Sequence, residues 1–466
     1  MTIWNPDLNG RAGPRYVAIA DALAADIRAG RLGRGARLPT HRDLAYRLGV
    51  TVGTVSRAYA EAERRGLIGG EVGRGTFVRD GMAAVPSFTM LDHGSAEAAD
   101  AGPVDLSLNF PARNEGDELL AVALSDLAGQ PGIATLLDYQ PHRGLPRHRA
   151  AGADWLKRAG LQLSPDQVVL TAGAQHAMMV VFSTLTRPGD LILTEAATYP
   201  GMKTLANLLH LRLQGLAMDE QGLRPDAFEA ACRTASPRVL YCLPNIQNPT
   251  GSLMSEERRS AIARIAEAHQ VAVVEDDVYG FLAEDAPPPL VTRLPQLGHY
   301  LTSVSKAMAP GLRVGFLAAP PGTEATFAAA VRTTTWMTTP LSTEIAARWI
   351  IDGTGDRLAQ SRRTESIVRQ EIARRILAGF DYAAHPAGFH GWLTLPEPWR
   401  SEEFTAQARL KGVLVTPSEA FAVSRPSPRA VRLCLSAART RADLERGLHL
   451  LVDLLRTAPD AYLSIV

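Results

Sequence analysis

The chain has 466 residues, 46% hydrophobic and 21% charged, with 49 basic and 48 acidic side chains and a net charge of +1. That length predicts two or three domains around a real core, and a charge this close to zero excludes a global field that would select a partner. No uninterrupted apolar run can cross a bilayer, Met1-Thr2-Ile3-Trp4-Asn5-Pro6 lacks a leader pattern, and Cys232, Cys242 and Cys434 lack metal-ligand spacing, so the expectation is a cytoplasmic protein without a metal.

The charge is uneven. Residues 1–80 carry thirteen arginines against eight acidic residues, a net of +5 that leaves −4 for the remainder. A basic front on a mildly acidic body points to a polyanion near the N-terminus. Tyr16 to Arg28 repeats Ile19, Leu23 and Ile27 on one face and should stop as a helix at Gly30. Pro39 and Thr40 open a second helix with Leu44, Ala45 and Leu48 inward. Gly49-Val50-Thr51 is a tight turn, and Thr51 caps a third helix that turns Val55, Ala58 and Tyr59 inward up to Arg65-Gly66. Leu67-Ile68 and Thr76-Phe77-Val78 then flank a glycine-rich stretch from Gly69 to Gly75, which predicts a two-stranded wing with that stretch as its tip.

The run Leu38-Pro39-Thr40-His41-Arg42-Asp43-Leu44-Ala45, with Gly49-Val50-Thr51-x-Gly53-Thr54-Val55-x-Arg57-Ala58-Tyr59, resembles the winged helix-turn-helix of GntR-type repressors. The resemblance implies double-stranded DNA as a partner, with the helix from Thr51 in the major groove. It assigns Arg42, Thr51, Thr54 and Arg57 to phosphates or base edges, and Arg74 to the minor groove. Many relatives have arginine where this chain has Val52, so a phosphate contact is lost and the half-site stays open. Taken without the pattern, these arginines would merely solvate a surface.

Residues 81–103 have no sustained period and are rich in Ala, Gly, Ser, Pro and Asp, which reads as a flexible linker between a domain at 1–80 and another at 104–466. From Val104 onward, short β-branched runs alternate with helical stretches. Val168–Thr171, Leu191–Leu193, Val239–Cys242 and Val271–Val274 read as buried strands of a mostly parallel sheet, hence an α/β fold. Ligands of such sheets sit at the carboxyl ends of strands.

Only four of the 49 basic residues are lysines: Lys157, Lys203, Lys306 and Lys411. Lys306 lies between Ser303-Val304-Ser305 and the turn Pro310-Gly311-Leu312-Arg313. A primary amine can condense with an aldehyde to a Schiff base, the way pyridoxal 5'-phosphate (PLP) is tethered, and the serines and Arg313 suit a phosphate. Asp276 follows a strand and can keep a pyridine nitrogen protonated. Tyr279 and Asn248 can bond the cofactor's phenolate oxygen, and Tyr199 can stack on its ring. Gly173-Ala174-Gln175 opens a helix whose amides can hold phosphate.

Alone, each of these residues has a plainer reading: Asn248-Pro249-Thr250-Gly251 as a turn, Tyr199 as packing, Asp276 as a loop carboxylate, Lys306 as surface charge. In this order they resemble the fold-type I PLP aminotransferases across nearly all of residues 104–466. The resemblance further implies that Tyr139 reaches the phosphate of a partner subunit and that Arg432 forks onto a substrate α-carboxylate. It departs at Ala174, where the family often has a serine, so one hydroxyl contact to phosphate is missing.

A GntR-type winged helix joined to such a domain resembles the MocR family of transcriptional regulators. The resemblance implies a homodimer that binds PLP through Lys306 and senses PLP or a small amino compound by aldimine exchange there. The alternative is a working aminotransferase with an accessory DNA-binding module, using Lys306 as base and Asp276 as electronic partner.

Overall fold

The computed structural model describes residues 4, 6, 14–28, 31–33, 36–64, 67–71, 75–78, 102–112, 116–424 and 426–457. Two compact units divide the chain, Met1–Ala98 and Ala99–Val466. Apart from Gly102 and Pro103, the expected linker lies outside the described residues.

In the first unit α1 spans Arg15–Arg28, α2 His41–Leu48 and α3 Val52–Arg64. Thr40 caps α2, its hydroxyl accepting from the Asp43 amide at 3.3 Å, and Gly49 ends the helix in the left-handed conformation at φ 61°. The Thr51 hydroxyl accepts from the Thr54 amide at 3.2 Å and starts α3 in the same way. Ile19, Leu23, Leu44, Val55, Ala58 and Tyr59 share one core with Ile68 and Val78, while Ile27 and Leu48 sit partly buried at its edge.

The wing differs from its sequence expectation. Strands β1 (Ile68–Glu71) and β2 (Gly75–Val78) pair antiparallel from Ile68 opposite Val78 to Glu71 opposite Gly75. Gly69, Gly70, Glu71 and Gly75 therefore belong to the ladder rather than the tip. Glycine is a weak strand former, but pairing with Phe77 and Thr76 satisfies its peptide groups, which outweighs its entropy. Positions 72–74, including Arg74, lie outside the described residues.

The second unit is built on a seven-stranded sheet. In chain order its strands and neighbours are β3 (Val104–Asp105), β4 (Val168–Thr171), β5 (Leu191–Glu195), β6 (Arg212–Leu216), a hairpin of β7 (Met218–Asp219) and β8 (Gly222–Leu223), β9 (Val239–Cys242), β10 (Ala272–Asp276), β11 (Gly298–Ser303) and β12 (Gly315–Ala318). The sheet order is β4-β12-β11-β10-β9-β5-β6, parallel throughout except for β12, which runs antiparallel to both neighbours. Strands β4, β5 and β9 are buried on both faces, as their continuous apolar runs require. Alternation divides them: Val168, Leu170, Leu193, Leu240 and Val273 face one core, and Val169, Ile192, Tyr241, Val274 and Leu301 the other.

A smaller antiparallel sheet, β13 (Tyr382–Ala383), β14 (His390–Thr394), β16 (Thr416–Pro417) and β17 (Ala430–Cys434), packs a third core. There β15 (Val413–Leu414) pairs parallel with β3, so the first described segment after the linker is stitched into this subdomain. The helix Thr354–Ile376 packs on both the loop below Lys306 and the smaller subdomain.

Arg259, on the helix Glu256–Ala268, is fully buried beneath the sheet edge. It donates to Asn245 Oδ1 at 2.6 Å and to the Met254 carbonyl at 3.1 Å, and stands 3.8 Å from Glu275. Burial pushes Glu275 up to about 7, opposed by Arg259. Arg259→Met leaves that carboxyl without its cation and is expected to cost about 3–5 kcal/mol. A carboxyl raised in the folded state destabilises as pH climbs past its unfolded value of about 4.3, so the loss should be greater near pH 8 than near pH 5 by chemical denaturation.

Candidate functional site

The carboxyl edge of the sheet collects most of the residues marked by the sequence. Asp276 is the last residue of β10, not a residue beyond it, because the strand runs two positions further than its β-branched run. The side chain is buried, and Oδ2 accepts from Tyr241 Oη at 2.7 Å. Oδ1 is buried with no partner. Burial pushes this carboxyl up to about 7, helped by Asp277 and Glu195 and opposed by the Tyr241 bond. Asp277, one residue on, accepts from Tyr300 Oη at 2.6 Å and Asn245 Nδ2 at 3.0 Å. It lines a cavity of about 450 Å³ with Trp155, Phe281, Tyr300 and Ser303.

Gly173 precedes the helix Ala174–Leu185 with φ 89°, and a Cβ there would lie 2.5 Å from Arg313 Nη2. Only glycine allows both that backbone and that approach. Arg313 itself holds φ 53°, a left-handed conformation uncommon for a side-chain-bearing residue. Its guanidinium donates to the Ala172 carbonyl at 3.1 Å and to Ser305 Oγ at 3.3 Å. Ser303 caps the single turn Val304–Ala307, its hydroxyl accepting from the Ser305 amide at 3.4 Å. Gln175 and Tyr199 both crowd Gly201, where an added Cβ would meet Tyr199 Cε1 at 2.3 Å and Gln175 Oε1 at 2.6 Å. Burial, then Asp276, raises the Tyr199 hydroxyl, while Arg432 and Arg313 oppose the shift.

Lys306 is part-buried and donates to the Asn109 carbonyl. Desolvation, reinforced by Arg432, Arg362 and Arg313, lowers its amine to about 8. Arg432, buried on β17, donates through Nη1 to Asn248 Oδ1 at 2.8 Å and through Nη2 to the Ser107 carbonyl at 2.7 Å. It lies 4.7 Å from the Phe421 ring centre, and its buried Nε has no partner. Tyr279 is buried and accepts from Asn109 Nδ2 at 2.8 Å.

Tyr139 is not brought into this constellation. It is 82% exposed and rests against Trp336 with ring centres 5.7 Å apart. In the first unit Arg42 and Thr51 are exposed. Thr51 and Thr54 share a hydroxyl–hydroxyl bond of 2.9 Å, and Arg57 stacks 4.6 Å from the Tyr16 ring centre.

Several residues at the site escaped the sequence reading. Asn109 joins Lys306, Tyr279 and His390, whose Nδ1 is 3.1 Å from Asn109 Nδ2. Arg362 fastens the loop below Lys306 by donating to the carbonyls of Ala307 at 3.1 Å and Met308 at 2.5 Å. Neither carries a local motif. Tyr241 had a signal: a hydroxyl inside the buried run Val239–Cys242 needs a partner, and Asp276 is that partner.

Residues 102–451 match the family described as aminotransferase class I and II, and residues 15–78 the gntR family of bacterial regulatory proteins. The HTH-type transcriptional regulator YdeF of Bacillus subtilis is 31% identical, with 97% of this chain and 96% of that protein covered. The chain belongs to the aminotransferase class I and II family, in the MocR arrangement with a GntR domain in front. A 2-aminoadipate transaminase of Thermus thermophilus is 28% identical over 64% of this MocR-type chain and 76% of its own length. The solved structure of the α-aminoadipate aminotransferase LysN from Thermus thermophilus, complexed with N-(5'-phosphopyridoxyl)-L-leucine, superposes with a TM-score of 0.70 at 25% identity, covering 78% of this chain and 94% of that one. The fold is thus fold-type I, and the cofactor of the MocR-type chain is PLP. Among the described residues, no helix is long and apolar enough to cross a membrane.

The side chains present fit that cofactor. The bare Asp276 Oδ1 needs a donor such as a protonated ring nitrogen, and the Arg313 guanidinium lies against Gly173 at the start of the helix Ala174–Leu185, a place that suits an anion. An amine lowered to about 8 is neutral, and so nucleophilic, at lower pH than an ordinary lysine. In cofactor-free protein, reductive methylation followed by peptide mapping should modify Lys306 with a midpoint near pH 8, below that of an ordinary lysine. A midpoint no lower than an ordinary lysine's would contradict the desolvation described.

Proposed function

We propose that the protein is a PLP-dependent DNA-binding transcriptional regulator that senses a small amino compound, or PLP itself, at Lys306. One observation carries this reading: a desolvated, part-buried amine and a buried, half-unpartnered carboxylate lie at the edge of a PLP-family sheet, on the same polypeptide as a GntR-type helix-turn-helix. PLP, when bound, supplies a carbonyl that captures primary amines.

The family resemblance suggests the roles of the surrounding side chains, and the described contacts support them. Lys306 would supply the tethering amine. Asp276 would accept from the ring nitrogen and keep its proton there. Tyr199 would cover the ring, and Asn248 and Tyr279 would bond the phenolate oxygen. The amides of Gly173, Ala174 and Gln175, with Ser303 and Arg313, would hold the phosphate. Arg432 turns a guanidinium already fixed by Asn248 and the Ser107 carbonyl toward the carboxylate of an amino-acid ligand. Desolvation of that guanidinium strengthens the pairing. Its Ser107 contact ties the ligand clamp to the segment that follows the linker, a covalent route by which ligand capture reaches the DNA-binding unit.

A homodimer completes the site. The outward Tyr139, with Ile133, Leu137, Trp336 and Leu341 exposed on the same unit, supports a surface that a second copy covers. Tyr139 then serves the partner's phosphate. In the first unit, Arg42, Thr51, Thr54, Arg57 and Arg74 are assigned to the duplex. The stack on Tyr16 gives Arg57 a structural duty as well.

The second reading, an aminotransferase, is favoured by the intact set of Lys306, Asp276 and Arg432. Amino-donor and keto-acid pairs screened for multiple turnovers separate the two: fast turnover without any change in DNA affinity selects the enzyme.

Three outcomes are expected. Lys306→Ala abolishes the visible absorbance of lysine-bound cofactor and the DNA response to ligand together. Asp276→Asn lowers PLP affinity about tenfold to a hundredfold, the worth of one charged hydrogen bond, by equilibrium titration. Arg42→Ala lowers the log–log salt slope of operator binding by about 0.9; an unchanged slope excludes Arg42 from the phosphate contacts.

A further inference from the structure

The exposed start of α3 has an unusual chemistry. Thr51 and Thr54 bond each other at 2.9 Å, and Thr51 also caps the Thr54 amide. Ser56 Oγ is bonded to His41 Nδ1 at 3.1 Å. The Arg57 guanidinium lies over Tyr16. Every polar side chain on the first two turns thus has a partner within its own unit. Thr51 and Arg57 are exposed, and so are two residues without a polar side chain: Val52, 45% exposed, and Gly53, where an added Cβ would meet only Thr51 Oγ1, at 3.8 Å.

Neither residue helps the fold. A β-branched residue and a glycine both have lower helix propensity than alanine. Neither joins the core, which α3 reaches through Val55, Ala58 and Tyr59. Packing does not require the glycine, and no backbone angle at that position demands it.

We infer that Val52 is a base-reading residue whose target is the C5-methyl group of a thymine in the major groove. The inference rests on the DNA-binding role of the first unit and names the base it selects. In helix-turn-helix docking, the first residues of the second helix are those that meet base edges. A·T is the only base pair that shows a methyl group in that groove. An isopropyl group gains by burial against that methyl and offers no hydrogen bond to a guanine, cytosine or adenine edge. Gly53, having no side chain, lets the start of the helix approach closely enough for Val52 to touch the base. Exposed Arg42 and Arg47 on α2 supply attraction to phosphates, which carries no sequence information.

The test uses the full-length, PLP-loaded protein. Bound duplexes are selected from a randomised pool, and each thymine of the enriched half-site is then replaced by deoxyuridine, which keeps the pairing and deletes only the methyl. One position per half-site should lose about 3–10-fold in affinity. Val52→Ala, an exposed change toward the better helix former, should keep salt-dependent binding yet no longer distinguish thymine from uracil there. Val52→Arg should move the preference at that position to guanine. If no thymine-to-uracil exchange matters, or if Val52→Ala keeps the same discrimination, the inference is overturned and DNA binding stands. Salt-dependent binding without an enriched sequence overturns it too. Absence of any DNA binding removes the role beneath it.

Discussion

A cation kept among cations governs the larger unit. The Lys306 amine is desolvated beside Arg432, Arg362 and Arg313, and its hydrogen bond goes to a neutral carbonyl, that of Asn109. Such an arrangement is costly for an ammonium ion and tolerable for a neutral amine. The surrounding structure is organised to sustain it. Arg362 spends its donors on the carbonyls of Ala112, Ala307 and Met308, clamping the loop beneath Lys306 to the long helix Thr354–Ile376. Arg313 is fixed in a left-handed backbone that faces Gly173. Perturbed groups gathered in this way point to a functional site, and positive ones suit an anion.

The carboxylates answer from the opposite direction. Asp276, Glu195 and Glu275 are all buried at or beside strand ends, and burial lifts each to about 7. Tyr241, the Leu243 amide and Arg259 respectively satisfy part of each. Asp276 is the one of the three that belongs to the Lys306 constellation; Glu275 Oε1, like Asp276 Oδ1, is buried without a hydrogen-bond partner. Structural carboxylates and the site carboxylate thus share one kind of burial and differ in where they lie.

Much of this was legible in the sequence wherever the signal is local. Val168–Thr171 and Val239–Cys242 matched their strands to the residue, because short apolar runs between turn residues have few alternatives. The Thr51 cap and the helix start at Thr40 were readable because a hydroxyl three residues ahead of an orphan amide is a nearest-neighbour matter. Boundaries slipped where tertiary pairing decided, as with the wing glycines and the end of β10. Asn109, Arg362 and His390 were invisible because their partners lie far along the chain, and one arginine among 45 carries no label. Tyr139 was marked only by a family motif, and its outward orientation accords with a role beyond its own subunit.

The tandem carboxylates at the end of β10 carry a consequence for sequence change. Asp276 reaches Tyr241 on one face of the sheet, and Asp277 reaches Tyr300 and Asn245 on the other. Because a strand alternates sides at each residue, inserting one residue upstream in β10 would put Glu275 in the place of Asp276 and Asp276 in the place of Asp277, and deleting one would put Asp277 in the place of Asp276 and Val278 in the place of Asp277. Either change would deny at least one tyrosine its aspartate. Homologues should therefore keep the length of this strand more strictly than the identity of its aliphatic residues.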